Sequence, residues 1–184
     1  MKIDRKEPLP VILFSIFFVL MIISFFFDRE ILKFFNDMSS PAVFSFMHFM
    51  SSEFFFIIVI LAGGLLLMDG KKIIFFLAGT GVAYIISMIL KVLIQRARPL
   101  STGTFMDLGP FSFPSSHATV YFFIFAFMAW HFKKNTYYKL IFLIIAVLVS
   151  LSRVFLGVHY LSDIIGGGLA GIGSYLLLKR WIKV

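Results

Sequence analysis

Most of the residues in this chain that could carry out chemistry lie in three short polar segments, within a sequence that is otherwise strongly apolar. The segments are KVLIQRARP from Lys91 to Pro99, PSSH from Pro114 to His117, and SRVFLGVHYLSD from Ser152 to Asp163. Ionisable side chains are costly at membrane depth, so their presence among apolar residues indicates a functional site.

The third segment combines a histidine with a carboxylate. His159 and Asp163 are four residues apart, so on a helix they lie one turn from each other. A carboxylate in that position can accept a hydrogen bond from one ring nitrogen, which fixes the tautomer and leaves the other nitrogen free as a nucleophile. A purely structural His–Asp pair would have the same spacing.

The other two segments supply groups that bind anions. Lys91 and Arg98 are seven residues apart and would share one helix face if the helix continues to Arg98 and ends at Pro99. Lysine and arginine in such a segment could instead be interfacial anchors. Ser115 and Ser116 begin a predicted helix, whose free N–H groups and positive dipole end form an anion site, although the same residues could simply cap the helix.

Taken together, these residues fit phosphoryl transfer, which needs cations and N–H donors around the phosphate oxygens, a nucleophile, and an acid for the leaving oxygen. Metal catalysis fits less well, because a magnesium site is built from carboxylates and only Asp163 and Asp107 are near. The chain has no cysteine, which excludes disulfides, thiolate catalysis and cysteine metal sites.

The composition predicts the elements that position these residues. Of the 184 residues 60% are hydrophobic and only 14% are charged, and the mean hydropathy is +1.00, so most of the chain must face lipid. The sequence predicts an all-α polytopic membrane protein, a six-transmembrane-helix bundle forming a single domain over residues 1–184. The six apolar runs are Val11–Phe27, Phe54–Met68, Ile73–Ile94, Ala118–Phe132, Tyr137–Phe155 and Tyr160–Leu178.

The sixth run is rich in small residues, including Gly167 and Gly171. Small residues spaced by four allow membrane helices to approach closely, so we expect this helix to pack tightly against a neighbour.

The distribution of positive charge predicts the orientation of the chain. Six spans place both termini on one side, and that side carries eleven of the 17 lysines and arginines: Lys2, Arg5, Lys6, Lys71, Lys72, Lys133, Lys134, Lys139, Lys179, Arg180 and Lys183. The positive-inside rule then places both termini in the cytoplasm and all three polar segments at the outer face of a plasma or inner membrane. The net charge of +8 is assigned to loops and lipid headgroups and not to nucleic acid.

The three segments resemble the signature of the type 2 phosphatidic acid phosphatase superfamily, the lipid phosphate phosphatases. That signature is a lysine, six residues and Arg-Pro; then Pro-Ser-Gly-His; then Ser-Arg, five residues, histidine, three residues and aspartate. All three parts occur here in order and with the right internal spacing. Ser116 departs from the pattern, since it stands where the family commonly has glycine. Its backbone N–H is still available, so little loss is expected, although its side chain crowds the phosphate.

The resemblance implies a role for each matching residue. His159 would attack phosphorus, Asp163 would orient His159, and His117 would protonate the leaving lipid oxygen. The phosphate oxygens would be held by Lys91, Arg98, Arg153, Ser115 and the N–H of Ser116 or His117. No metal or organic cofactor is implied, and the partners are a lipid phosphate substrate and the bilayer.

The implied function is hydrolysis of a lipid phosphate or diphosphate through a phosphohistidine intermediate. Undecaprenyl diphosphate and phosphatidylglycerol phosphate are the leading family substrates, with the prenyl diphosphate favoured. The stretch Thr102–Phe113 could line a lipid entrance or be a packed interfacial loop. A phosphotransferase could use the same residues with an acceptor other than water, and a non-enzymatic transporter is the more remote alternative.

Three further basic side chains are expected to lie outside the site. Arg96 is interpreted as a charge at the rim, and His48 and His131 as interfacial histidines. The oligomeric state is not predicted.

Overall fold

The computed structural model describes the backbone of residues 8–99 and 109–181, and the side chains of residues 14–99 and 109–180. The described chain is helical throughout, apart from the connections and a single bridge between Ala97 and Phe111. The helices are α1 (Pro8–Asp37), α2 (Pro41–Met50), α3 (Glu53–Leu67), α4 (Gly70–Ile94), α5 (Ser116–His131), α6 (Thr136–Phe155) and α7 (Leu161–Leu178), followed by a short 3-10 helix, Lys179–Trp181.

Polar residues in the connections determine where several helices begin. Ser40 accepts a hydrogen bond from Val43 N at the start of α2, and Ser52 accepts one from Phe55 N at the start of α3. Asp69 and Asn135 cap α4 and α6 in the same way, each through its side-chain oxygen. Capping of this kind satisfies backbone donors that have no partner within the helix.

The all-helical prediction is confirmed, and each of the six predicted spans falls mainly within one helix. The structure has one helix more than the six predicted: α2 was not predicted as a separate element. Within the described residues, three helices are long and apolar enough to cross a membrane, namely α4, α6 and α7, or four if α2 and α3, bent by 48°, count as one span. The number of six crossings is therefore not confirmed. At 16 residues, α5 is shorter than the roughly 20 that a full crossing needs.

The outer surface of the bundle is apolar, as a lipid-facing surface must be. Large hydrophobic side chains stand exposed along α1, α3 and α4; Phe26 and Leu65 are 78% and 76% exposed. A soluble monomer rarely leaves contiguous apolar surface on this scale. Together with the long apolar helices, this surface identifies an integral membrane protein.

The core is centred on α5, whose Phe123, Ile124, Phe127 and Met128 are almost completely buried. The glycines of α7 pack against the backbone of this helix. A Cβ atom on Gly167 would lie 2.7 Å from the carbonyl oxygen of Ser115, and one on Gly171 would collide with the carbonyl oxygen of Thr119. The close helix approach predicted from the small residues is confirmed: the glycine face of α7 packs against the backbone of α5.

Candidate active site

The N-termini of α5 and α7 lie side by side, and the polar segments converge around them. The backbone N–H of Ser115 donates to the carbonyl oxygen of Asp163 at 3.0 Å, which joins the two helix starts directly. The glycine contacts one and two turns farther along α7 hold the helices close enough for this bond. The site therefore lies beside a close packing of α7 against α5.

His159 and Asp163 form the predicted pair, although not along a single helix. His159 precedes α7, which begins at Leu161, and its Nδ1 lies 3.4 Å from Asp163 Oδ2. The same Oδ2 accepts a hydrogen bond from the backbone N–H of Tyr160 at 2.9 Å. The carboxylate thus caps its own helix while it faces the imidazole, and both side chains are almost completely buried.

The turn before His159 wraps around the end of α6. The N–H groups of Val158 and His159 both donate to the carbonyl oxygen of Arg153 at 3.2 Å. Gly157, with φ of 71°, takes the left-handed conformation that lets the chain reverse there. This turn brings the imidazole back over the C-terminus of α6.

The hydrogen bonds of His159 leave Nε2 unprotonated. Arg98 Nη1 lies 3.3 Å from Nε2, and a guanidinium can only donate, so Nε2 is the acceptor and Nδ1 carries the proton toward Asp163. Burial, followed by the nearby positive charges of Arg153, Lys91 and Arg98, holds the pKa of His159 well below its ordinary value. A neutral ring with a free Nε2 lone pair is the form a nucleophile needs.

Lys91 and Arg98 reach the site by a different route from the one predicted. The helix does not continue to Arg98: α4 ends at Ile94, and Gln95 adopts a left-handed conformation with φ of 53°. After this cap the chain is extended, and Ala97 bridges Phe111. Arg98 donates to the carbonyl oxygens of Gly109 and Val158 as well as facing His159.

The Lys91 ammonium is buried at the end of α4. It donates to the carbonyl oxygens of Phe111 and Ser112, each at 3.1 Å. An ammonium has three donors, so one remains for a ligand. The interpretation as an exposed interfacial anchor is wrong for this residue, because its head lies inside the protein.

Two buried polar groups beside His159 have no hydrogen-bond partner among the described residues. Arg153 is 3% exposed and its Nε is unpaired, and Ser115 is completely buried with an unpaired hydroxyl. Ser115 is the N-cap of α5 but its side chain does not cap that helix. Buried donors left in this way carry a cost that an anion in the site would remove.

The hydroxyl of Ser116 is directed to a neighbouring helix. It accepts a hydrogen bond from Ser87 of α4 at 2.9 Å, and both residues are buried. The hydroxyl is thereby held by α4, so the extra side chain at the family's glycine position has a defined place.

His117, in the first turn of α5, is held by the connection between α2 and α3. Its Nε2 lies 3.1 Å from the carbonyl oxygen of Ser51, and because a carbonyl accepts, Nε2 carries a proton. His117 is within electrostatic reach of His159, Arg153 and Lys91. The two predicted histidines are therefore brought to one site from two sides.

His48 and His131 lie outside the site, as predicted. His48 is exposed and stacks on Phe44 of the same helix. His131 is in the last turn of α5, beside Phe132 and far along the helix from His117.

The interpretation of Arg96 as a rim charge is wrong. Its side chain is 18% exposed, and it forms ion pairs with Asp163 and Asp28. It also donates to Ser162 and lies between the rings of Phe25 and Tyr160. Sequence reasoning missed this residue and Asp28, because it assumed that the α4 helix continued through Arg96 and that Asp28 followed the first membrane span.

A cavity of about 500 Å³ adjoins His117 on the side away from α7. It lies between α3, α4 and α5, and its walls are mostly apolar: Phe56, Ile60, Leu77, Tyr84, Val120 and Tyr121. The loop suggested as a lipid entrance does not form these walls in its described part, where Phe113 packs against Phe25 and α7. Residues 102–108, including Asp107, lie outside the described residues, as do Lys2, Arg5, Lys6 and Lys183.

Within the described ranges, no group of three or more histidine, aspartate or glutamate side chains is placed to hold a metal ion. Asp28 and Asp163 are both engaged by Arg96, and a third carboxylate, Glu53, lines the cavity beside His117. The described donor set is thus one of cations and hydrogen-bond donors, which suits an anion.

Comparison with known proteins gives consistent results. Residues 72–184 match the family model described as the PAP2 superfamily. The chain is 36% identical over 107 residues to phosphatidylglycerophosphatase B of Bacillus subtilis (strain 168), covering 54% of this chain and 52% of that protein. It is 45% identical over 62 residues to the putative undecaprenyl-diphosphatase YbjG of Escherichia coli (strain K12), covering 33% of this chain and 30% of that protein.

The chain thus spans about half the length of the first of these curated relatives and about a third of the second. The match to a solved structure is more extensive. The crystal structure of a transmembrane PAP2-type phosphatidylglycerolphosphate phosphatase from Bacillus subtilis superposes with a TM-score of 0.71 at 28% identity, over 94% of both chains.

Proposed function

The chain belongs to the PAP2 superfamily, and from this premise we propose that it is a lipid phosphatase that hydrolyses a lipid phosphate or diphosphate through a phosphohistidine intermediate. The observation that carries the proposal is the pair of unpartnered buried donors, Arg153 Nε and Ser115 Oγ, around a histidine whose Nε2 is unprotonated. A phosphate group offers acceptors to both donors and an electrophilic phosphorus to the imidazole.

The first step transfers the phosphoryl group to the protein. His159 Nε2 attacks phosphorus, the bond from phosphorus to the lipid-side oxygen breaks, and His117 gives that oxygen a proton. Asp163 accepts the hydrogen bond from Nδ1–H and stabilises the positive charge that develops on the ring. The Ser51 carbonyl holds the Nε2 proton of His117, so the proton that is transferred must come from Nδ1, and His117 enters this step as the doubly protonated imidazolium.

The second step returns the enzyme to its starting form. Water attacks phosphorus and gives a proton to His117, which restores its starting form, and the bond between His159 Nε2 and phosphorus breaks to release inorganic phosphate. Three cations surround the transferred group. Arg153 and the third donor of Lys91 face it, and Arg98 moves from Nε2 to a phosphate oxygen when substrate binds.

The apolar cavity beside His117 accommodates the lipid. A substrate whose leaving oxygen is next to His117 can extend its chain between α3, α4 and α5, where the walls are apolar. The names of the relatives support two substrate classes, a phosphatidylglycerol phosphate and an undecaprenyl diphosphate. We favour the prenyl diphosphate, whose long hydrocarbon chain suits such walls.

Phosphate release tests the proposed function. Purified protein in detergent, with EDTA present, is offered a panel of lipid phosphates and diphosphates without any acceptor alcohol. We expect free phosphate from at least one of them. Activity that appears only when an acceptor is added would indicate a phosphotransferase, and no release from any substrate would exclude the hydrolase. Loss of activity in EDTA would contradict a metal-independent reaction.

We also propose that α1 and α3–α7 each cross the membrane and that the site faces outward, in keeping with the charge asymmetry of the loops. The chain has no native cysteine, so single cysteines report sidedness directly. Asn36 near the site end and Thr136 at the start of α6 are both exposed. An impermeant maleimide added to intact cells should label Asn36→Cys, and Thr136→Cys only after lysis. The reverse pattern would place the site in the cytoplasm.

A further inference from the structure

We propose that Asp28 and Arg96 form a positioning relay that holds Asp163 ionised and aimed at His159, so that the first helix of the protein participates in setting up the nucleophile. The proposal rests on the proposed function, in which His159 is the nucleophile. Asp28 lies outside residues 72–184, the segment that matches the family model, so the relay extends beyond the matched region.

Arg96 connects the two carboxylates. One guanidinium nitrogen, Nη1, lies 2.6 Å from Asp163 Oδ1, and the other, Nη2, lies 2.7 Å from Asp28 Oδ2. The rings of Phe25 and Tyr160 both pack against it, with centroids 4.4 Å and 4.3 Å from the guanidinium carbon. A planar guanidinium clamped in this way has little freedom to leave its partners.

The oxygens of Asp163 are divided between two functions. Oδ1 is held by Arg96, while Oδ2 faces His159 Nδ1 and accepts from Tyr160 N–H. Asp163 is completely buried, and an uncompensated carboxylate at such a place would take up a proton or turn away from the apolar surroundings. The pair with Arg96 keeps the charge and fixes the plane of the carboxylate.

Asp28 completes the arrangement from α1. It is 3% exposed, and besides Arg96 it accepts hydrogen bonds from both the backbone N–H and the hydroxyl of Ser162. Ser162 lies in the first turn of α7, where a negative charge is favourable. Asp28 therefore fixes Arg96 and the start of α7 at once, and the carboxylate of Asp163 is one residue further on.

The geometry of the imidazole shows why such support matters. The distance from His159 Nδ1 to Asp163 Oδ2 is 3.4 Å, long for a charge-assisted hydrogen bond. A contact of this length depends on the carboxylate being held in place by its other partners. By keeping Asp163 ionised, Arg96 preserves the carboxylate acceptor for Nδ1–H, so the proton stays on Nδ1 and Nε2 is left free.

The tautomer of His159 tests the relay independently of activity. The chain has four histidines, and ¹⁵N-histidine NMR with a His159→Gln reference identifies the resonances of this ring. We expect the Nδ1–H tautomer in the wild type and a shift toward Nε2–H or a mixture in Arg96→Gln. Arg29→Gln, an exposed arginine next to Asp28, is the matched control and should change nothing. An unchanged tautomer in Arg96→Gln would overturn the relay.

Enzyme kinetics provide the second test of the relay. Arg96→Gln should lower kcat for an aryl phosphate by roughly 10- to 100-fold, the usual effect of a residue that orients a functional group, with little change in KM. Asp28→Asn should also lower kcat, but by a smaller factor. Glu30→Gln, at an exposed carboxylate two residues away, is its control. Adding Arg96→Gln to Asp163→Asn should lower kcat almost no further than Asp163→Asn alone, because Arg96 acts through Asp163.

The outcomes separate the relay from the proposed function. A wild type that hydrolyses no phosphate ester but shows the tautomer change would contradict the function and leave the relay standing. Independent, multiplying losses in the double variant, or a loss confined to KM, would show that Arg96 acts on the phosphate directly. If Arg96→Gln does not fold, Arg96→Lys, which keeps the charge without the two-sided fork, replaces it with the same expectations at smaller magnitude.

Discussion

The two ends of the helix bundle carry the same kinds of charged side chain in opposite settings. At the site end, formed by the end of α4, the end of α6 and the starts of α5 and α7, Lys91, Arg153 and Asp163 are buried. At the opposite end, around the α3–α4 and α5–α6 connections, Asp69 and Lys72 form a partly exposed ion pair at 3.5 Å. Burial, and not charge, is what distinguishes the two ends.

This difference has an energetic meaning. An exposed ion pair contributes little, with about 0–1 kcal/mol as the usual range for surface pairs, and it can be changed at little cost. Buried charges are costly to desolvate and remain only where partners or function compensate for them. At the site end, the buried donors Arg153 Nε and Ser115 Oγ have no hydrogen-bond partner among the described residues, which suits the binding of an anion there.

The largest expected effect comes from removing one histidine at each end. His159→Ala should leave no measurable phosphate release, because the variant lacks the nitrogen that is proposed to attack phosphorus. His131→Ala, in the last turn of α5 at the opposite end, should retain nearly full activity. The measurement is initial rate in detergent, with size-exclusion profiles to show that both variants are folded. Activity of His159→Ala above a few per cent would place the nucleophile elsewhere.

The next effect depends on the leaving group. His117→Ala should slow hydrolysis of a lipid alcohol phosphate by about 10²- to 10⁴-fold, because an alkoxide leaves poorly without a proton. An aryl phosphate with an acidic phenol should lose much less. Equal losses with both substrates would argue that His117 binds phosphate and does not act as the acid.

The sequence was sufficient to predict the contact between His159 and Asp163 but not the residues that support it. His159 and Asp163 could be predicted because four residues of spacing place them together whether the chain is helical or, as here, turns into a helix cap. The position of Arg96 could not be predicted, because it depends on the left-handed conformation of Gln95, which ends α4. After Gln95 the chain is extended, so Arg96 and Arg98 are alternate residues directed to the same side. No local pattern in the sequence predicts that α4 ends at Gln95.

Asp28 was missed for a different reason. It is 134 residues from Ser162, and a contact over that separation has no signature in a single sequence. The six apolar runs could be predicted because an apolar helical segment is recognised from its local composition alone. The glycines of α7 were informative because their spacing places them on one helix face, which is the face that packs. The number of membrane crossings was harder, because run length does not show how a short helix such as α5 or the bent α2–α3 pair sits in the bilayer.

A smaller effect, on stability, compares two glycines of the same helix. A Cβ on Gly171 would collide with the backbone of α5, whereas nothing lies within 4 Å of one on Gly173. Gly171→Ala should lower the free energy of unfolding by about 1–3 kcal/mol and reduce activity by shifting the two helix starts apart. Gly173→Ala should be neutral or slightly stabilising. Thermal unfolding in detergent measures both, and equal midpoints would contradict the close packing.

The smallest effect concerns pH, and it separates two influences on one ring. Burial and the charges of Arg153, Lys91 and Arg98 lower the pKa of His159 and outweigh the hydrogen bond with the Ser112 backbone, which favours the protonated ring. The unfolded chain therefore binds more protons than the folded chain once the pH falls below about 6.5. The folded state is then destabilised as the pH decreases, with a slope approaching about 1.4 kcal/mol per pH unit from this group alone.

The comparison of wild type with His159→Gln isolates that slope, because the variant lacks the titrating ring and keeps the other charged groups near it: Lys91, Arg96, Arg98, His117, Arg153 and Asp163. Thermal midpoints of both proteins at pH 7.5, 6.5 and 5.5 should show the wild type losing stability relative to the variant at the lowest pH. A wild type that gains relative stability as the pH falls would mean that folded His159 takes up a proton and pairs with Asp163 as an imidazolium. In that case the ring would not be the free base at neutral pH, and phosphoryl transfer to Nε2 would require a deprotonation step before attack.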